Sequence, residues 1–297
     1  MLTFSIGIMA YNEEKNIGQL LDALLKQNLS TCDLKQICVV SSGCTDRTED
    51  IVREYMKKDK RIRLMVQENR EGKSSAINLF LPTVKTDAVV LESGDTIPLS
   101  DTMEKLVAPL QDPLVGMTGA RPVPVNKPDH FIGFCVNLLW NLHHKIACQT
   151  PKLGELVAFK NIVKEISVES AVDESSIEAV IIQAGLRLEY VGDAIVYNQG
   201  PENISDFLKQ RRRISAGHRY LVKTQGYKVA TTSGLYILKH LLKSMKWNPM
   251  ALLWTAGAVM LEIIGRALGY YDFNIRKKNP FVWDIALSTK KVNETVK

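Results

Sequence analysis

Four short segments concentrate the side chains that could do chemistry, and each stands directly after an apolar run. They read Ala10-Tyr11-Asn12-Glu13-Glu14, Ser42-Gly43-Cys44-Thr45-Asp46, Glu68-Asn69-Arg70-Glu71-Gly72-Lys73 and Glu92-Ser93-Gly94-Asp95. Asp95 is the sharpest candidate. It follows an apolar stretch and a glycine, and it precedes Thr96-Ile97-Pro98. A carboxylate so placed can hold Mg2+ or Mn2+ and leave open positions for phosphate oxygens. Glu92 is close enough in sequence to assist through water. The plainer alternative is that Asp-Thr after a strand forms a turn or an N-cap. Further on, Asp173-Glu174 opens a helical pattern. Paired acids there either complement the helix dipole or supply a general base that takes a proton from a hydroxyl. In Gln210-Arg211-Arg212-Arg213, planar guanidinium forks could clamp a diphosphate. Three adjacent arginines on a helix face different ways, so one or two at most can share a ligand.

Other signals are weaker. Gly72-Lys73-Ser74 at a helix start resembles an anion-binding corner, but Gln67 stands where a GxxxxGK[ST] loop needs its first glycine. No GxGxxG follows the first strand, which counts against a dinucleotide-binding enzyme. His143-His144 lacks a third ligand at metal-site spacing and reads as structural.

The elements that must position these residues alternate. Residues 3–9, 36–41, 62–67 and 87–91 read as buried strands. Residues 13–27, 45–58 and 73–80 between them carry apolar side chains at helical spacing. This order predicts a doubly wound, mostly parallel α/β sheet with helices on both faces. In such sheets ligands bind at the carboxyl ends of the strands, where the four segments lie. The second half is less regular. Strands are expected at 115–118, 156–159, 187–191 and 194–197, and helices at 131–146 and 173–184, the latter closed by Gly185. Ser205 is the expected N-cap of a basic helix running to about residue 224.

The chain has 297 residues, 45% hydrophobic and 24% charged, enough for one large α/β domain and an appendage. The net charge of +6 hides an asymmetry. Residues 1–204 hold 21 Lys and Arg against 27 Asp and Glu, whereas residues 205–297 hold 17 against 5. A basic segment on an acidic body points to a phosphate-rich partner or to a solvated basic surface. Five cysteines, an odd number with no CxxC, argue for a reducing compartment. No basic stretch precedes the first apolar run, so no signal peptide is expected.

The last third changes character. Over residues 235–247, Leu235, Leu238, Leu241, Leu242 and Met245 oppose Lys239, Lys243 and Lys246. This is the pattern of an amphipathic helix lying in a membrane interface. Residues 250–261 are uncharged, then Glu262 and Arg266 interrupt. A bilayer span needs about 20 apolar residues. The run is therefore read as too short to span, and an interfacial or re-entrant helix pair is expected. The alternative is a helical hairpin packed on the main domain or in a dimer interface.

Taken together and in order over about residues 3–220, these segments resemble glycosyltransferase family 2, with the GT-A fold. Residues 5–27 resemble its opening strand and YNEE-type loop, and 39–51 its second loop. Residues 69–78 resemble its N-x-G-K segment, and 91–98 the region of its DxD motif. Residues 173–197 resemble its ED-containing helix, and 210–214 its QxxRW motif. Some positions depart from the pattern. Ser42 and Ser93 stand where aspartates are usual, Asp173-Glu174 reverses Glu-Asp, and Ile214 replaces a tryptophan.

The resemblance implies a metal-dependent, inverting transferase of a nucleotide-diphosphate sugar. Tyr11, Asn12, Glu13, Ser42, Lys73 and Glu92 would serve the nucleotide sugar. Asp95 would hold the Mg2+ or Mn2+, Glu174 or Asp173 would act as base, and Gln210 and Arg213 would meet the diphosphate or acceptor. With the basic last third, it implies a lipid-linked or polyprenyl phosphate acceptor. It also implies a place at an anionic membrane surface, on its cytoplasmic face. No nucleic-acid motif is present, so a nucleic-acid partner is not expected. The expected division is a GT-A domain at 1–225, with a nucleotide-binding half at 1–98 and an acceptor half at 99–225, and a basic helical region at 226–297. The alternatives are a catalytically weak, nucleotide-sugar-binding pseudoenzyme and a sugar-phosphate nucleotidyltransferase.

Overall fold

The structure is a computed structural model and describes residues 1–229, 234–244, 247–278, 281–282 and 287–290. The first half forms as its periodicity predicts. Strands β1 (Leu2–Ala10), β2 (Cys32–Ser42), β3 (Ile62–Gln67) and β4 (Ala88–Ser93) alternate with helices α1 (Ile17–Leu25), α2 (Thr48–Lys58) and α3 (Lys73–Phe80). β1 lies between β2 and β4, and all four strands are parallel. β1, β4 and the second half of β2 are largely buried because both faces are covered, whereas β3, at the sheet edge, is partly exposed. Phe4, Ile6 and Ile8 pack with Leu20, Leu21 and Leu24 of α1 on one face. Met9, Cys38 and Val40 pack with Ala76, Ile77 and Phe80 of α3 on the other.

The second half adds β5 (Thr96–Pro98), α4 (Thr102–Val107), β6 (Val115–Pro124), α5 (Phe131–Ala147), β7 (Val157–Lys160), α6 (Asp173–Gln183) and β8 (Arg187–Asn198). The sheet order is β3-β2-β1-β4-β7-β6-β8-β5. β7 runs antiparallel to both neighbours, and β5 antiparallel to β8. The other six strands point one way, so the sheet is mostly parallel. The periodicity did not reveal β5 or α4, which are too short to carry a period. The two strands expected at 187–191 and 194–197 are one strand, whose pairing with β6 shifts register between Gly119 and Arg121.

Helix α7 spans Ile204–Gln225. Its N-cap is Asn203, not Ser205: the Asn203 Oδ1 accepts from the Asp206 amide at 2.9 Å, and Ser205 lies inside the first turn. Gly226, at φ 67°, ends it in the left-handed conformation.

Helix α8 covers Gly234–Ser244 and helix α9 Pro249–Tyr270. Met245 and Lys246 of the expected amphipathic helix lie outside the described residues. On α8, Leu241 is buried while Leu238 and Leu242 are exposed. The expectation that the run after Pro249 is too short is corrected. The helix continues through Glu262 and Arg266, and 249–275 is by length and composition long and apolar enough to cross a membrane. The charges do not break it because Glu262 accepts from Arg211 of α7 at 2.6 Å and from Arg266 at 2.7 Å. A lost hydration shell is replaced by two guanidinium partners. Ala258 and Leu261 complete an apolar cluster with Cys135 and Val136 of α5 and Phe207 of α7. α9 thus packs along one side on α5 and α7, while Leu253, Met260 and Ile263 stay exposed.

Candidate active site

A cleft of about 1530 Å³ opens at the carboxyl ends of the parallel strands. It is lined by Tyr11, Glu13, Ser42, Lys73, Asp95, Asp173, Glu174, Gln210 and Arg213. Nine of the eleven residues singled out from the sequence thus meet in one place. The other two do not line it. Asn12, at φ 52°, turns its Oδ1 to the Thr45 amide at 2.8 Å and laces the loop after β1 to the loop after β2. Glu92 is 1% exposed and accepts the Thr96 hydroxyl within the core. Burial pushes its carboxyl up to about 8, so it is largely protonated at neutral pH. Assistance from Glu92 through water is therefore corrected: strand alternation sends the side chain away from the cleft.

The first wall comes from β1, β2, β4 and their loops. Tyr11 stacks under the Arg70 guanidinium, 4.3 Å from ring centroid to Cζ. Arg70 was missed in the sequence, although it lies in one of the four segments. Gly94 lets the backbone before Asp95 approach Glu13: a Cβ there would sit 2.8 Å from Glu13 Cγ. Glu13 is nearly fully buried and is raised to about 7, first by burial and then by Asp95, against the pull of Lys290. Asp95 presents hard oxygen ligands to the cleft. Among the described residues no group of three or more His, Cys, Asp or Glu is arranged to hold a metal ion. A cation at Asp95 would thus complete its shell with phosphate and water oxygens, which suits Mg2+ and Mn2+. The residues fit such an ion.

The second wall starts at α6. Lys73, the first residue of α3, forms ion pairs with Asp173 and with Glu174, each at 2.8 Å. Burial opposes the lysine's charge, but the two carboxylates outweigh it and raise the ammonium. Burial would raise Glu174, yet Lys73 holds it below the usual carboxylate range. Asp173 stays raised by burial and by Glu174. One lysine cannot fully neutralise two adjacent acids, so they divide its charge unequally.

The arginines of α7 divide by direction. Arg211 pairs with Glu262, and Arg212 with Asp272 beyond α9. Arg213 turns inward, where Asp173, Glu174, Glu155 and Asp95 act on it. Lys209, Arg219 and Lys223 extend this basic wall.

Two further features were not legible. Glu155, before β7, lines the cleft at φ 64°. Burial, then Asp95 and Glu174, raise it to about 7. The last described segment crosses the cleft mouth. Lys290 donates to the Tyr11 carbonyl at 3.0 Å and to Glu13, and Ser288 donates to Asp206 at 2.7 Å.

Comparison with known proteins gives a consistent picture. Residues 5–146 match the family described as Glycosyl transferase family 2. The chain is 27% identical over 108 residues to the glycosyltransferase GlyG of Streptococcus pneumoniae serotype 4, covering 36% of this chain and 35% of that protein. It is 29% identical over 107 residues to a dolichyl-phosphate beta-glucosyltransferase of Trichomonas vaginalis, covering 34% and 33%. The chain thus spans about a third of the length of each of these relatives. The mannosyltransferase PcManGT from Pyrobaculum calidifontis, solved with GDP-Man and Mn2+, shares the fold. Its TM-score is 0.61 at 22% identity, over 94% of this chain and 81% of that one.

Proposed function

From the match of residues 5–146 to glycosyl transferase family 2, we propose that the protein moves a sugar, with inversion, from a nucleotide-diphosphate donor to a lipid-linked or polyprenyl phosphate. The observation that carries the reading is the shared cleft. One side offers Asp95, the other the Lys73-paired acids and the Arg213 face of α7. Tyr11 and Arg70 form a flat platform suited to a nucleoside. A divalent cation bound at Asp95 would supply charge neutralisation of the leaving diphosphate. Arg213 adds a planar fork for the same phosphates.

The displacement is in line. The acceptor oxygen bonds to the anomeric carbon as the bond to the diphosphate breaks, and the diphosphate leaves with the electron pair. A hydroxyl acceptor must also lose a proton, and Glu174 is the carboxylate in position to take it. Because Lys73 lowers its pKa, Glu174 is a weak base for that task. A phosphate oxygen is already ionised and needs none. The basic wall of Lys209, Arg213, Arg219 and Lys223 suits the same anionic acceptor. The dolichyl-phosphate relative supports this choice.

The test is a thermal-shift panel of UDP- and GDP-sugars with and without Mn2+. One donor is expected to stabilise the wild type only with metal, and Asp95→Ala to weaken its binding by about 100-fold or more. A donor that binds the variant as well as the wild type overturns Asp95 as the metal-holding group. Binding by the wild type with neither transfer nor slow donor hydrolysis identifies a pseudoenzyme.

A further inference from the structure

The carboxylates around the cleft are almost all engaged. Glu13 accepts from Asn16 at 3.0 Å and from Lys290, and Asp173 and Glu174 share Lys73. Glu92 takes the Thr96 hydroxyl away from the cleft. Two acids differ: Asp95, read above as the metal-holding group, and Glu155, whose side chain lines the cleft and likewise has no hydrogen bond or ion pair among the described residues.

The backbone of Glu155 is equally distinct. The Leu156 amide donates to the Gly154 carbonyl at 2.8 Å across a residue at φ 64°. This is a γ-turn of the left-handed kind, rare and strained for a residue with a side chain. The turn is held from outside, since the Ala120 amide donates to the Leu156 carbonyl at 3.0 Å. A glycine would satisfy that backbone without strain. The glutamate is held there in spite of it, at the edge of the cleft.

Asp95 and Glu174 are the two charges that act on Glu155 most strongly. Resting on the proposed transfer reaction, Asp95 marks the diphosphate end and Glu174 the acceptor end. In a single displacement the sugar ring must lie between them. We propose that Glu155 is the carboxylate that accepts hydrogen bonds from hydroxyls of the transferred sugar and sets which sugar epimer is used. In its ionised form Glu155 offers about four acceptor sites and no donor, which matches a pair of ring hydroxyls. Charge-assisted bonds of this kind are directional enough to tell an equatorial from an axial hydroxyl.

The experiment uses the full chain with Mn2+ and four donors: UDP-glucose, UDP-galactose, UDP-N-acetylglucosamine and GDP-mannose. Wild type, Glu155→Gly and Glu155→Gln are compared for kcat/KM of transfer or donor hydrolysis, for UDP and GDP affinity, and for melting temperature. Glu155→Gly suits the turn, so its melting temperature is expected to hold or rise. Its preference among epimeric donors is expected to fall about 10- to 100-fold, with nucleoside diphosphate affinity changed by less than about twofold. Glu155→Gln should lie between the two. An unchanged donor preference in Glu155→Gly overturns the inference while leaving the transferase intact. So does a uniform rate loss on all donors, which would make Glu155 a proton carrier or a wall. A wild type that neither binds nor turns over any donor sinks the transferase reading itself, and this inference with it.

Discussion

Partner choice separates the acids of the cleft more than residue type does. Lys73 joins Asp173 and Glu174, Lys290 meets Glu13, and Asp95 and Glu155 have no hydrogen bond or ion pair among the described residues. This gives Glu174 a testable role. With a polyprenyl phosphate as acceptor, Glu174→Gln should slow transfer by less than about 10-fold, because no proton has to be taken. A loss of about 100- to 10,000-fold, measured as kcat/KM for the acceptor, would mean that the acceptor is a hydroxyl. Much of this scale could be read before the fold was known. Asp95, Lys73 and the acids at 173 and 174 have types and neighbours that declare chemistry. Which partner each acid takes could not be read. Lys73 and Glu174 are 101 residues apart, and Lys290 and Glu13 are 277 apart. Glu92 misled because its spacing to Asp95 is short, while Glu92 is buried within β4 and Asp95 stands in the turn beyond the strand.

At the level of elements, the rule that chemistry follows strand ends found the four loops after β1 to β4. It missed Glu155 for a definite reason. β7 is reversed, so its start, not its end, reaches the carboxyl edge of its neighbours. Reversal leaves no mark on a four-residue apolar run. The paired charges of α9 misled in a similar way: Glu262 looked like a break until Arg211 of α7 was seen beside it. Helix α5 offers a test of how tightly such elements are held. A Cβ on Gly133 would lie 1.9 Å from the Lys127 carbonyl oxygen. Alanine is the better helix former by about 1 kcal/mol, so propensity alone predicts that Gly133→Ala stabilises. Overpacking is expected to win, with a net loss of about 1–3 kcal/mol in urea unfolding. A rise in stability would show that the loop before α5 is free to retreat.

Across the whole molecule, charge and apolar surface are segregated. The basic residues of the last third line the cleft through α7 and also stand on α8, where Lys239 and Lys243 are exposed. Leu238 and Leu242 of the same helix face solvent, as do Trp247 and, on α9, Met250, Leu253, Met260 and Ile263. Exposed leucines interleaved with lysines suit an anionic lipid surface. The chain is expected to float with vesicles containing about 30% phosphatidylserine, to bind phosphatidylcholine vesicles weakly, and to lose part of the difference as salt rises. Equal flotation with both would assign the attachment to apolar contact alone, and none with either would overturn the membrane-surface expectation.

The two edges of the sheet are not equivalent. Met1, 82% exposed, precedes β1 at the edge of the sheet opposite the cleft. Lys290 rests on Tyr11 and Glu13 at the cleft mouth. A label placed at Met1 is a bystander to whatever enters the cleft. One placed on Lys290 disturbs the very thread laid across the doorway, and competes with each incoming molecule for the threshold.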